Sequence, residues 1–531
     1  MSRRTQHSTA QPFRLRAFAA WMLALLIAIG TAAQAAAQGA AREVDFPPAE
    51  GKPPPPAKSA PRYESSGEDT DMLDGVGPTM RKSQKRAPPP PKTLTVMYKV
   101  EYGEQLKYTH PDGVVQVFDQ WKSFPNDGYN LITTVNKRLL DGMNYQYATK
   151  PLGSPGFDPV DIPLLYMAGD YAFAFSEQEV GNLRKFILDG GTILFNAARG
   201  RDEFSRSVVR EMLKVFPTKT FMKLSPDHPI FNTRYRVTQV LTLTNGVQFM
   251  QPPEIYSIDI GTRAAAILAP AGLGAAWSSA EYHPAGRHVV GESAVRLGVN
   301  IVAYVLASTE YGRFLAQEFP VYTGRNRTGD VFRFAIARYK GSWDVYPALQ
   351  TSVCEGLSGK TGIGVDFTPT AIDLEDPRIG QYPLVFMTGH YDFELSDREI
   401  SNLRTFLARG GTLLASPAAG LRPFCTAFQR EMSKVFPDNP MVKLPPTHPL
   451  FAREWIKVEQ VEYTPAALRD NPLLALPEFY GLFIDGRLAV LYTPYDLMSG
   501  VNHEPNAYAK GLTPGDALNT VINVITYSLS H

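Results

Sequence analysis

Four polar side chains occupy alternate positions in the stretch Thr388, His390, Asp392, Glu394. A histidine beside carboxylates at this spacing can trade protons, ligate a metal, or hydrogen-bond a sugar or a peptide. The stretch follows "YPLVFMTG", an apolar run that stops at a glycine, as a buried parallel strand does. Open α/β sheets place their ligand crevice just outside such strand ends. Ser416, which closes "GGTLLAS", and Asp496, which follows "LYTPY", are candidates for the same crevice. The ligand-binding set is therefore Thr388, His390, Asp392, Ser416 and Asp496. His390 and Asp392 are the acid–base or metal-binding pair if the crevice is catalytic. The competing reading is that these groups cap the next helix and satisfy loop amides. No Cys-x-x-Cys or His-x-x-x-His spacing occurs, so neither a metal nor another cofactor is expected.

The elements around this stretch are written twice. Tyr166–Phe231 lies on Phe386–Phe451 at a constant offset of 220, with 30 of 66 positions identical, far above shared composition. The match loosens afterwards, then returns at "PEIYSIDIGTRAAAILAP" against "PEFYGLFIDGRLAVLYTP". In the first copy the four polar positions read Ala168, Asp170, Ala172 and Ala174. The first copy is thus expected to be a degenerate, architectural or partner-binding version, with any chemistry left to the second. His228 and His448 recur in "PDHPIF" and "PTHPLF" and read as turn constraints rather than ligands.

Both copies spell the same elements. Ser176 and Ser396 stand three residues before Glu179 and Glu399, which predicts a capping box at each helix start. Ile400, Leu403, Phe406 and Leu407, like Val180, Leu183, Phe186 and Ile187, form one apolar stripe. Gly190-Gly191 and Gly410-Gly411 end these helices. "FIDGRLAVLY" reads as strand, Asp-Gly turn, strand. Strands alternating with amphipathic helices predict two tandem three-layer α/β/α domains, flavodoxin-like, with mainly parallel sheets. The expected divisions are a signal peptide over 1–37, a Pro-rich disordered tether over 38–92, copy 1 over 93–308, a linker over 309–327 and copy 2 over 328–531.

On "YPLVFMTGHYDFELSDREISNLRTFLARGG", "REMSKVFP", "LPPTHPLF" and "GLFIDGRLAVLYTPYDL", the chain resembles the bacterial domain-of-unknown-function family 4159. That resemblance covers the second copy and, more loosely, the first. It implies a fold similar to the class I glutamine amidotransferases and an exported or membrane-associated setting, but no reaction. An amidotransferase would carry its nucleophilic cysteine on the turn after "GGTLLA". Here that turn reads Ser416-Pro417-Ala418-Ala419-Gly420, and Asn196-Ala197-Ala198-Arg199-Gly200 in the first copy. Neither holds a cysteine, and Ser416 lacks the Gly-x-Ser-x-Gly setting of an activated serine.

Composition narrows the function further. A net charge of +1 and the absence of a dense basic stripe argue against nucleic acid. Arginines before "AFAAWMLALLIAIG", then Ala-rich sequence, describe a secretory signal. Membrane contact would come only through that segment if it is uncleaved. Cys354 and Cys425 form either a disulfide or two free thiols. The expectation is an exported, periplasmic, noncatalytic binding or scaffold protein of the cell envelope, holding an envelope protein partner or a small ligand. The alternative is an envelope carbohydrate- or peptide-acting hydrolase or transferase that uses the second copy's crevice.

Overall fold

Each copy builds one seven-stranded sheet from the strands the sequence marks. In the first copy the spatial order is Met143–Pro151, Lys92–Glu101, Leu164–Gly169, Thr192–Ala197, Arg263–Ala269, Tyr256–Ile260 and Met222–Lys223. In the second it is Ala371–Asp373, Phe334–Arg338, Leu384–Gly389, Thr412–Pro417, Arg487–Tyr492, Tyr480–Ile484 and Val442–Lys443. The first five strands of each sheet run parallel, the sixth runs antiparallel to the fifth, and the seventh antiparallel to the sixth. The computed structural model describes residues 41–49, 92–315 and 331–530, apart from 279, 281, 283–285, 452–455, 457, 459 and 505.

Every residue of Leu164–Gly169 and Leu384–Gly389 is buried, because helices cover both faces. In the second copy Leu384 and Phe386 pack toward the helices Leu349–Thr361 and Pro514–Ser530. Val385 and Met387 pack toward Asp397–Ala408 and Arg422–Val435. The first copy divides its core in the same way. Its three-layer arrangement follows from the two-residue period of the strands meeting an apolar stripe on each helix.

The local signals act as read. Ser176 and Ser396 each accept a hydrogen bond from the backbone of Glu179 or Glu399, whose carboxylate reaches back to the cap. Gly190 and Gly410 take φ of 109° and 106°, and the glycine after each has no room for a side chain. A Cβ on Gly411 would lie 2.2 Å from the Phe406 ring, and one on Gly191 2.3 Å from Phe186. Asp485 and Gly486 adopt positive φ in the expected hairpin turn. His228 and His448 each accept the amide proton two residues on through Nδ1, at 3.2 Å in both copies. They constrain turns.

Two expected boundaries shift. Residues 41–49, assigned by composition to the disordered tether, lie against the first copy: Arg42–Glu43 adds a parallel strand to the hairpin Gln105–Thr109/Val115–Asp119. This short "REVDF" stretch carries charged and aromatic groups that find partners there, which the prolines around it conceal. The helix Gly291–Leu315 also runs into the expected linker, because its apolar pattern continues past Tyr304. The signal segment 1–37, the remaining tether 50–91 and residues 316–327 lie outside the described residues.

Gly411→Ala should lower stability by about 1–3 kcal/mol through overpacking against Phe406. Gly181→Ala, on an exposed helix position with open space around it, should raise stability by about 0.5–1 kcal/mol. Shifts of the urea midpoint in opposite directions are the expected result, and shifts of the same sign would contradict it.

Candidate functional site

The second copy's strand tip is covered by the first copy. Strand Tyr256–Ile260 directs Ser257 and Asp259 toward the second copy, and Tyr391 donates its hydroxyl proton to Asp259. Ser257 donates to the same carboxylate at 2.6 Å and lies 3.3 Å from the Tyr391 hydroxyl. His390 is only 2% exposed. Its Nδ1 lies 3.2 Å from the Ser342 hydroxyl and 3.8 Å from an Asp259 oxygen. Burial lowers its pKa below the ordinary histidine value; the Asp259 carboxylate opposes that shift and Lys219 reinforces it. The groups that face His390 thus come from both copies.

Further contacts close the same seam. Lys219 pairs with Asp344 at 3.0 Å, and the Arg422 amide donates to Asp227 at 3.1 Å. Asn506 donates to the Thr262 hydroxyl at 2.8 Å, and Tyr508 stacks on Tyr304 with ring centres 5.4 Å apart. Beside Tyr391 the seam leaves a polar cavity of about 290 Å³, lined in part by Lys219, Asp259, Ser342 and Asp344.

The predicted set therefore splits. Asp392, with its side chain 66% exposed, accepts from Arg430 at 2.9 Å, so it and His390 take different partners. Thr388 and Ser416 are register partners on neighbouring strands, both buried. Ser416 accepts from the Leu497 amide at 3.3 Å, whereas Thr388 Oγ1 and His390 Nε2 have no hydrogen-bond partner among the described residues. Asp496 is fully buried and accepts from the Tyr346 hydroxyl at 2.6 Å, the Ala419 amide at 2.6 Å and the Ser499 amide at 2.9 Å. Burial raises its pKa, and those hydrogen bonds work against the rise. Its role is to hold the turn after Thr412–Pro417, where Ala419 sits at φ 55°. The left-handed position of that turn is thus an alanine, which offers no nucleophile. Cys425 lies in the next helix, and both cysteines are free thiols.

The first copy carries polar groups that its sequence did not advertise. Asp170, at the position of His390, is fully buried and accepts from both the backbone and the guanidinium of Arg199. Beneath it Lys99 donates to Asp127 and to the Phe124 carbonyl, each at 2.5 Å. Tyr166 donates to Asp127 at 2.6 Å, and Asn196 donates to the Tyr166 hydroxyl at 3.0 Å. Each buried charge has its partner, as a low-dielectric interior requires. The copy has exchanged its polar groups rather than merely lost them. One signal was available: Lys99 interrupts the strand "TLTVMYKVE" at a position facing the core. Asp259 gave a fainter one, as the second polar residue at alternate positions in "YSIDI". Its counterpart in the second copy is Phe483, so the repeat itself could not point to it.

The family model for a domain of unknown function, DUF4159, matches residues 105–306 and again 333–529. The chain belongs to the DUF4159 family. It is a tandem member, and each DUF4159 copy corresponds to one of the two seven-stranded sheets. No curated protein matches it. Among the described residues, no group of three or more His, Cys, Asp or Glu side chains is placed to hold a metal ion. No described helix is long and apolar enough to cross a membrane.

Two measurements follow from this seam between DUF4159 copies. In a double-mutant cycle, Asp259→Ala and Tyr391→Phe should show a coupling of at least about 0.5 kcal/mol, and additivity would contradict the contact. His228 is buried in the same seam, and burial pulls its pKa from 6.5 down to about 4, with Asp259 opposing. A base whose folded pKa lies below its unfolded value stabilises fully above the unfolded pKa and progressively less as pH falls toward the folded one. Between pH 6.5 and about 4 the wild type should therefore lose on the order of 3 kcal/mol through this group. His228→Asn, which keeps a turn-capping acceptor, should flatten the pH dependence of stability over that interval. Equal slopes would contradict the assignment.

Proposed function

We propose that this chain is an exported, noncatalytic binding protein of the bacterial cell envelope. The observation that carries the reading is the contact of Asp259 with Tyr391 and His390. The polar groups at the second copy's strand tip, where an α/β enzyme would present its crevice to substrate, are used to join the two copies. The alanine at the left-handed turn supports the same reading, since a hydrolase or transferase built there would need a nucleophile or a base. The Arg-flanked apolar N-terminal segment, then small residues, supports export, and the Pro-rich stretch that follows would give the folded body reach from the membrane.

A second reading has one observation in its favour. Thr388 Oγ1 and His390 Nε2 are buried polar atoms without hydrogen-bond partners among the described residues, and a cavity of about 290 Å³, lined in part by Ser342 and Asp259 next to His390, lies at the same seam. A small envelope carbohydrate or peptide fragment bound there, with the seam opened enough for His390 to reach it, would give that histidine a partner.

Affinity capture with the mature full-length chain, from its own envelope and cytosolic fractions, separates the readings when run beside a His390→Ala/Asp392→Ala variant. The binding-protein reading expects the same envelope protein on both baits and nothing equivalent from the cytosol. A small molecule or metal retained by the wild type alone would overturn it in favour of the enzyme.

A further inference from the structure

The first copy's strand tip is also covered, by a segment of the chain that precedes the domain. Residues 41–49 cross it in extended form. Arg42–Glu43 pairs with Leu106–Lys107, and the Val44 amide donates to the Lys107 carbonyl at 2.9 Å. Asp45 accepts two bonds from one nitrogen of Arg201, at 2.8 and 2.9 Å. Two guanidinium groups then lie over the Phe46 ring, Arg201 4.8 Å and Arg199 5.2 Å from its centre. Tyr171 donates to the Phe46 carbonyl at 3.3 Å, and Arg199 donates to the Pro47 carbonyl at 2.9 Å. Ala49 completes the crossing with its amide on the Ser123 carbonyl at 2.8 Å.

Floor and occupant differ in kind. The floor is built and buried: Asp170 fixes Arg199 from below, and Phe124 lies under the same guanidinium, 5.1 Å away. Asp170 is fully buried and Arg199 is 8% exposed. The occupant is loosely seated. No residue of the segment is buried, and the Asp45 side chain is 58% exposed, so its ion pair is shared with solvent. Residues 50–91 separate the segment from Lys92, and it belongs to none of the strands of the seven-stranded sheet. It can leave without dismantling the domain.

The floor reads chemistry rather than shape alone. A guanidinium takes the carboxylate, two guanidinium faces take the aromatic ring, and Arg199 with Tyr171 reads two successive backbone carbonyls. The second copy cannot do this, since Ala419 and Leu421 stand where the first has Arg199 and Arg201. We propose that the Arg199–Arg201 floor is a peptide-recognition site for an acidic–aromatic–proline segment of a partner protein, and that residues 41–49 hold it closed as a tethered competitor. Strand addition to the Gln105–Thr109 edge supplies affinity, and the Asp–Phe–Pro triplet supplies specificity. A tethered copy of the ligand has a high effective concentration, so the site is open only to a partner that competes with it or to a chain whose own segment is drawn away.

The inference rests on reading the chain as a binding protein, but its test leaves the second copy untouched, so either can fail alone. Full-length protein carrying Asp45→Ala and Phe46→Ala would be titrated into a fluorescent peptide of residues 41–49, "AREVDFPPA", and followed by anisotropy. The expected result is saturable binding at least ten-fold tighter than to the wild-type chain, whose own segment competes. Adding Arg201→Ala should cost ten-fold or more, and the Asp45→Ala/Phe46→Ala peptide should not bind. A second measurement does not depend on altering the segment. In wild-type sequence with a protease site inserted within 50–91, the cut segment should remain bound and be displaced by excess "AREVDFPPA" but not by its doubly substituted form. Equal binding by released and wild-type chains, equal binding of both peptides, or a cut segment that no peptide displaces would show a structural strap only and overturn the proposal.

Discussion

The carboxylate of Asp259 leaves one domain and accepts the hydroxyl proton of Tyr391 at the strand tip of the next, and the relation of the two copies turns on that contact. A carboxylate only 10% exposed needs donors, and it has two, one from its own strand and one from the other copy. Removing the second copy would strand it, and removing Asp259 would leave Tyr391 and His390 facing a gap. The seam around it, with Lys219 on Asp344 and Tyr508 on Tyr304, fixes the orientation that this pair requires.

Duplication has led to two solutions of one problem. A parallel sheet ends in loops whose polar groups must be satisfied, and each copy covers its tip with a segment from outside itself. The tyrosine after each tip strand, Tyr171 or Tyr391, meets an imported aspartate, Asp45 from the N-terminal segment or Asp259 from the neighbouring domain. The layers beneath then diverge. The first copy buries Lys99, Asp127 and Tyr166 in one network, and the second buries Tyr346 on Asp496. The turn that Asp496 holds in the second copy is the turn from which Arg199 reaches up in the first. Copies that keep 30 identities in 66 positions thus present unlike surfaces at the end where ligands would bind.

Much of the fold was legible because its signals are local. A serine three residues before a glutamate caps a helix wherever it occurs, and a glycine pressed against Phe406 or Phe186 leaves its mark in both copies. The repeat doubled each of these signals. The site was less legible because its partners are remote in sequence. Asp259 meets Tyr391 across 132 residues, and its counterpart in the second copy is Phe483, so the repeat does not mark it. Asp392, adjacent to His390 in the alternating pattern, turns to Arg430 instead, since a loop does not keep a strand's period. Residues 41–49 were hidden by the prolines around them, although "REVDF" carries the charge and the ring that anchor it. Composition describes a stretch as a whole, whereas five residues suffice to cross a strand tip.

The central claim is that the second copy's polar tip is closed by the first rather than open to substrate. Carbethoxylation of the full-length chain near neutral pH, mapped by mass spectrometry, tests it directly, because His503 is exposed and provides an internal reference on the same domain while His390 is 2% exposed. The account predicts that His390 reacts far more slowly than His503 in the wild type and approaches its rate once Asp259→Ala loosens the seam. Equal rates at the two histidines in the wild-type chain would mean an open crevice, and would contradict it.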